Sequence, residues 1–191
     1  MASSPAPSSF PRLETERLLL RRFEERDAPD IARSCNDYDI ASNLLSTPYP
    51  YTLDNARDWI PQSHAHWDEK SSLNFAVARR ADDALVGSIG FKLAPEHHRA
   101  EIGYWFARDH WGRGYATEAA RRLIDFGFES LGLHRIFAYH YHWNPASGRV
   151  LEKCGLKHEG IMRQHITRLG RVADSIMFAI LRDEWESPRR P

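Results

Sequence analysis

The residues with the clearest chemical potential are Gly112, Arg113 and Gly114, a glycine-containing turn between an extended segment ending at Phe106 and an apolar stretch over 116–127. Glycine lets a backbone approach phosphate oxygens closely. The first N–H groups of a helix have no intrahelical partner, and the helix dipole favours negative charge beside them. Strand, turn and helix together therefore make an anion site that a pyrophosphate would fit. Two glycines alone fit a ligand-free tight turn equally well. The run also lacks the third glycine of a dinucleotide fingerprint and the Gly-Lys-Ser/Thr of a nucleotide P-loop, so both nucleotide readings lose ground.

The elements that must position this turn follow from hydrophobic period. Leu18, Leu19 and Leu20 mark a first strand over 17–23, and Asp27 is placed to cap a helix through Ile31 and Ala32. Thr47-Pro48-Tyr49-Pro50 interrupts the chain before a second helix from about Thr52, with Asp54 in its first turn and Pro61 expected to kink or end it. Alternation around Phe75 and Val77, a turn at 81–84 and a return over 85–93 read as paired strands. Residues 100–107, apolar on both sides, read as a strand inside a covered sheet. Ala116, Ala119, Ala120, Leu123, Ile124 and Gly127 recur at helical spacing. A strand over 135–141, a helix over 145–154 stopped by Gly155, and extended runs 157–168 and 171–182 around Leu169-Gly170 complete a strand, helix, strand pattern that closes with a hairpin.

Bulk properties bound the function. The 191 residues suit one domain. We place it over 12–186, with tails at 1–11, expected to be disordered, and 187–191. Lys and Arg total 26, as do Asp and Glu, so no global field favours nucleic acid or an anionic membrane. The Arg-rich end, with Arg182, Arg189 and Arg190, is too sparse to change that. Cys35 and Cys154 form neither a disulfide framework nor a metal-ligand pair and suit a reducing cytosol. No apolar run approaches the roughly 20 residues that span a bilayer. The expectation is a soluble cytoplasmic protein, monomer or homodimer. Ten histidines include His140-Tyr141-His142 and His97-His98, but no spacing supplies three or four converging ligands, and no metal is expected.

Glu101-Ile102-Gly103-Tyr104-Trp105-Phe106, followed by His110-Trp111-Gly112-Arg113-Gly114-Tyr115-Ala116-Thr117-Glu118-Ala119, resembles the acetyl-CoA motif of the GNAT N-acetyltransferase superfamily. The likeness is nearest its RimJ/RimL branch, which includes acetyltransferases of ribosomal-protein N-termini. Asn144-Pro145-Ala146-Ser147 and Leu151-Glu152-Lys153-Cys154-Gly155-Leu156 resemble the second family motif at its usual spacing. Residues 13–21, Asp174-Ser175 and Glu184-Trp185 extend the likeness over nearly the whole chain.

The resemblance implies an α/β (α+β) fold. Its central sheet is mixed and mainly antiparallel, with helices on both faces and two strands splayed at the acetyl-CoA site. It implies acetyl-CoA as co-substrate, with Trp111, Gly112, Arg113, Gly114, Tyr115 and Ala116 at the pyrophosphate, and Tyr104, Trp105 and Phe106 along the pantetheine arm. One N–H of that last group would polarise the thioester carbonyl, and Asn144 would hydrogen-bond the pantetheine chain. Trp111 stands where the superfamily usually has Gln or Arg, a substitution familiar in this branch. Leu151 stands where many relatives carry an acidic tyrosine. That shifts the thiolate's hydrogen-bond donor to Ser147, which read without the family is a first-turn serine bonding its own backbone.

An amine attacks a thioester only as free base, so a proton acceptor is needed. The implied base is Glu101, which by itself reads equally well as a strand carboxylate in a cross-strand ion pair. His165 is a second candidate, and Ile166 occupies a position where some relatives carry glutamate. Tyr49, Tyr51, Trp59 and Trp67 lie where relatives build the acceptor wall, although helix-sheet packing accounts for most such aromatics. The expected function is transfer of an acetyl group to a primary amine, on a protein N-terminus or a small molecule. A non-catalytic acyl-CoA sensor on the same fold is the alternative, and it would not need Glu101 or Ser147.

Overall fold

The computed structural model describes residues 9–186. Residues 1–8 and 187–191, which carry most of the expected tails and Arg189 and Arg190, lie outside the described residues. One eight-stranded sheet runs in the order β1-β2-β3-β4-β5-β6-β8-β7. Its strands are β1 Leu13–Glu14, β2 Leu18–Arg21, β3 Ser72–Arg79, β4 Leu85–Ala94, β5 Arg99–Phe106, β6 Arg135–Tyr141, β7 Lys157–Arg168 and β8 Arg171–Leu181. Every pairing is antiparallel except β5 with β6. Helices α1 Ala28–Cys35, α2 Tyr38–Ala41, α3 Leu53–Asp68, α4 Tyr115–Glu129, α5 Pro145–Lys153 and α6 Arg182–Glu186 surround it. The mixed α/β fold, mainly antiparallel with both faces covered, is the one expected.

The two covers explain why the central strands are apolar on both sides. Leu73, Phe75 and Val77 of β3 pack with Leu123, Ile124 and Phe126 of α4. Ala76 of the same strand faces Ile31 of α1 and Ile60 of α3. The period-2 geometry of a strand sends alternate residues to opposite layers, so both layers require hydrophobes. Phe10, within the segment expected to be a tail, packs edge-on against Trp67 and Phe75 at 5.2 and 5.1 Å.

Three local expectations are revised. Pro61 does not end its helix, because α3 continues to Asp68. Pro61 sits on the exposed side, where a carbonyl that loses its N–H partner faces water. Thr52 supplies the cap at its start, accepting from Asn55 N. Asp27 stands at the N-cap of α1 but makes no side-chain cap bond. Its carboxylate takes two bonds from buried Arg21 at 2.8 and 2.9 Å instead, an ion pair that competes successfully for the same oxygens. The closing hairpin turns at Leu169 and Gly170, both at positive φ, as their sequence suggested. Between Met162 and Ile166, however, β7 carries an irregularity that no turn residue announced.

Candidate active site

The parallel pairing of β5 with β6 covers only Arg99↔Arg135, Ala100↔Ile136 and Glu101↔Phe137. Beyond Glu101 the strands part into a V. One arm ends at Phe106 and leads into the glycine turn, and the other ends at Tyr141 and leads to Asn144 at the start of α5. The antiparallel ladder on the far side of β5 determines which backbone groups face the V. Ala107 N–H donates to Val86 O at 2.9 Å, and the β4–β5 register is unbroken from Phe106 back to Arg99. Because bonded and non-bonded pairs alternate, Trp105, Gly103 and Glu101 address β4, while Phe106, Tyr104 and Ile102 turn their N–H groups toward the V. Of the three residues expected there, Tyr104 and Phe106 present their main chain to the gap. Trp105 instead spends its main chain on β4 and lends its indole to the neighbouring cavity wall.

At the end of the first arm the turn has the conformation its glycines allow. Gly112 and Gly114 sit at φ of +74° and +80°, and Gly114 is the N-cap of α4. Trp111 extends outward and ties its indole N–H to Phe106 O at 2.7 Å, which fixes the turn to the strand, while its main-chain N–H, expected at the pyrophosphate, is already spent on Arg108 O at 3.1 Å. Arginines crowd the turn, although Arg17 is paired with Glu118 at 2.6 Å and Arg79 with Asp82 at 2.6 Å. Arg17 lies over the Tyr115 ring at 4.8 Å and donates to Arg113 O at 3.0 Å. His110, next to Trp111, has its pKa lowered by desolvation and by the nearby Arg79 and Arg113. With α4 pointing its first N–H groups at the same place, the turn has the geometry that can receive an anion.

Side chains close the V from its two faces. On the α4 and α5 side, Tyr104 Oη lies 2.9 Å from Ser147 Oγ and 3.2 Å from Ser147 O. Burial pushes the Tyr104 phenol above its ordinary pKa, so it remains protonated. Asn144 caps α5, its Oδ1 accepting from Ser147 N at 3.3 Å, and its side-chain nitrogen keeps two donors. On the other face Glu101 sits at the apex, on the wall of a cavity of about 610 Å³ enclosed by α3, the segment before it and strands β3 to β5. Desolvation raises the Glu101 carboxyl above the usual range and Lys92 opposes the shift. Lys92 is its cross-strand partner, but no ion pair closes between them among the described residues.

Residues 17–157 match the acetyltransferase (GNAT) domain family. The chain is also 36% identical over 174 residues to the N-acetyltransferase YoaA of Bacillus subtilis (strain 168), covering 91% of this chain and 98% of that one. The chain belongs to the GNAT acetyltransferase family. A more distant relative of this N-acetyltransferase is a spermidine N(1)-acetyltransferase of Vibrio cholerae, 28% identical over 172 residues and covering 88% and 95% of the two chains. Its fold is shared with RimL, a ribosomal L7/L12 alpha-N-protein acetyltransferase solved with coenzyme A. That match has a TM-score of 0.81 at 18% identity and covers 90% and 98% of the two chains.

Two features of the acetyltransferase site escaped the sequence. Arg17 belongs to the β1–β2 connection, yet it and Thr15 hold Glu118 in the first turn of α4, with bonds of 2.6 to 2.9 Å. This knot sets the helix start, and no local pattern advertises a partner about a hundred residues away. The Tyr104 hydroxyl is the second, since a motif tyrosine on an aromatic strand gives no sign of which group it meets. His165 stands apart from the cavity wall on the irregular part of β7, its Nδ1 2.9 Å from Ser175 Oγ and its ring 6.1 Å from that of Tyr139. Tyr51 and Trp59 line the cavity; Trp67 packs on Phe10 and Tyr49 on Tyr38. Leu151 is fully buried in the core. Among the described residues no group of three or more His, Cys, Asp or Glu could hold a metal, and no helix is long and apolar enough to cross a membrane.

Gly148, one turn into α5, explains how the helix comes so near β6. A Cβ there would lie 2.7 Å from Nε2 of buried His140, whose ring is confined by Phe178 at 5.6 Å. Gly148→Ala should therefore destabilise the fold by about 1–3 kcal/mol through overpacking, despite the better helix propensity of alanine. Urea unfolding checks this, and a variant as stable as the parent would show that His140 can step aside.

Proposed function

We propose that this N-acetyltransferase passes the acetyl group of acetyl-CoA to a primary amine by direct attack on the thioester, within a single domain over 12–186. The observation that carries the reading is the V itself. Its backbone edge is open at Tyr104 and Phe106, Glu101 stands at its apex on one face, and the Tyr104–Ser147 hydroxyl pair stands on the other. Gly103 supports the fit: it lies exposed between the two, and an added Cβ there would meet nothing within 4 Å.

Acetyl-CoA supplies the acetyl group as a thioester. The turn from Trp111 to Ala116 holds its pyrophosphate through the main-chain N–H groups that follow Trp111, whose own N–H is engaged by Arg108 O, and Asn144 hydrogen-bonds the pantetheine chain. An N–H of Tyr104 or Phe106 polarises the thioester carbonyl, as donors fixed in place before reaction do most effectively. The amine enters from the cavity, where Glu101 and Asp58 attract its ammonium form and Glu101 takes the proton, directly or through a water. Desolvation brings the Glu101 pKa closer to that of an amine, which makes the transfer less uphill.

Ser147 donates a hydrogen bond to the departing thiolate, and Tyr104 orients it. Either hydroxyl can donate across the 2.9 Å contact; with the phenol, kept protonated by burial, as donor to Ser147 Oγ, the serine O–H is left free to point into the V. Ser147→Ala should lower kcat about 100-fold, in the range typical of a lost acid catalyst. Tyr104→Phe, which keeps the serine but frees its rotor, should cost less, with coenzyme A affinity little changed in either variant. Single-turnover kinetics checks this order, and a larger loss in Tyr104→Phe would make the tyrosine the direct donor.

The relative named for spermidine and the neighbour named for a ribosomal protein both act on amines, and the cavity has room for either kind of acceptor. Incubation with acetyl-CoA and a panel of peptides, polyamines and aminoglycosides, read by mass spectrometry, tests the reading. Transfer to at least one primary amine is expected. Tight coenzyme A binding with no transfer to any amine would favour a sensor instead.

A further inference from the structure

We infer that Arg168 is a positioning residue that holds the acceptor side of the cavity in place. This rests on the reading of that cavity as the amine's entry. Arg168 ends β7 and is only 8% exposed. No carboxylate lies within salt-bridge distance of it among the described residues. Its guanidinium reaches instead to main-chain carbonyls more than a hundred residues earlier. Nε and Nη2 donate to Ala41 O at 3.0 and 2.7 Å, and Nη2 also donates to Thr47 O at 2.6 Å.

Those carbonyls bracket the segment between α2 and α3, which has little means of holding itself. Leu44 N bonds to Ala41 O, Tyr49 stacks edge-on against Tyr38 at 5.7 Å, and the next hydrogen bond to another element is Tyr51 N on Asn36 Oδ1 at 3.0 Å. Between them Leu44, Ser46, Thr47 and Pro48 form one wall of the cavity opposite Glu101 and Tyr104. A rigid fork of five donors suits the task, because one planar group satisfies carbonyls that point in different directions. A permanently charged group with so little exposure would be costly without those acceptors, so the wall and the arginine hold each other in register.

Arg168 lies near Tyr141 at the end of one arm of the V but hydrogen-bonds none of the reactive residues, so its effect on catalysis runs through the wall. Loosening the wall should spoil the placement of the amine while leaving the cofactor side intact. For Arg168→Gln we expect KM for the best amine of the panel to rise at least tenfold, kcat at saturating amine to stay within threefold, and coenzyme A affinity to be unchanged. Arg168→Lys keeps the cation but offers a point charge in place of the fork, and should fall between. Millimolar methylguanidinium should partly restore KM in Arg168→Ala, a rescue that a general loss of stability would not show.

Hydrogen exchange over residues 41–51 separates the two halves of the inference. Faster exchange there, together with the raised KM, supports it. Unchanged exchange in the variants overturns the clamp, whatever the cavity does. Faster exchange with an unchanged KM overturns the link to the acceptor and counts against the cavity as the amine's entry. Should Arg168→Gln fail to fold, the lysine variant carries the same comparison.

Discussion

Gly114→Val is expected to weaken coenzyme A binding by roughly two orders of magnitude, about 3 kcal/mol, with a much smaller effect on folding. Gly114 caps α4 at φ +80° and ψ 1°, a left-handed conformation that costs an ordinary residue about 1–2 kcal/mol and a β-branched one more. The turn is exposed, so the chain can relieve this strain by rotating peptides rather than by unfolding. Rotation would re-aim the N–H groups at the start of α4 that the anion requires. A second effect adds to it. The new Cβ would lie 3.4 Å from Arg17 Nη2, so the larger side chain would press on the arginine that bonds Arg113 O and Glu118. Gly170 provides the control. It has nearly the same φ, +75°, and an added Cβ there would meet nothing within 4 Å, but it lies in the β7–β8 hairpin away from the turn. Gly170→Val should carry comparable strain and leave coenzyme A binding alone. Titration calorimetry on both variants decides the matter, and normal affinity in Gly114→Val would move the pyrophosphate elsewhere.

The same turn marks how far the sequence could be read. Its glycines, the apolar helix behind it and the strand ahead of it are local signals, and all three stand where the period placed them. The parting of β5 from β6 was legible only through the family resemblance, because a strand's residues do not state where its neighbour stops pairing. The division of labour along β5 was not legible at all. Whether Trp105 or Tyr104 addresses the gap depends on the register with β4, and a shift of one residue would exchange every one of these roles. Arg17 and Arg168 were missed for a related reason. Each acts through a contact that spans about a hundred residues or more, and one arginine among many carries no periodicity. Pro61 shows the opposite case: the local rule allowed a kink or an end, and the helix runs on to Asp68 because it has tertiary contacts on its buried face and water on the other.

Glu101→Gln is the substitution expected to separate chemistry from stability most cleanly. It preserves the shape of the side chain and removes its ability to accept a proton, so kcat should fall by about 100-fold or more, as for other general bases. The parent enzyme needs Glu101 ionised. Its rate should therefore rise with pH through a pKa above the ordinary glutamate value of about 4.3, since desolvation raises that carboxyl despite Lys92. The glutamine variant should lose this limb. The separate rise at higher pH, from deprotonation of the amine itself, should persist in both.

Folding responds in the opposite sense. With the folded pKa above the unfolded one, the stability linked to Glu101 is fully present below the unfolded value and is lost as pH rises through the folded pKa. At pH 7 the parent thus holds a partly desolvated charge that the variant does not. Glu101→Gln should melt higher than the parent at pH 7, and the difference should vanish near pH 4 as the parent carboxyl becomes neutral. Loss of activity accompanied by higher stability is the pattern of a group retained for its reactivity. An unchanged pH profile would remove Glu101 as the base. A variant that melted lower at pH 7 would show that the folded protein stabilises the carboxylate, and the raised pKa on which its role as base depends would be withdrawn.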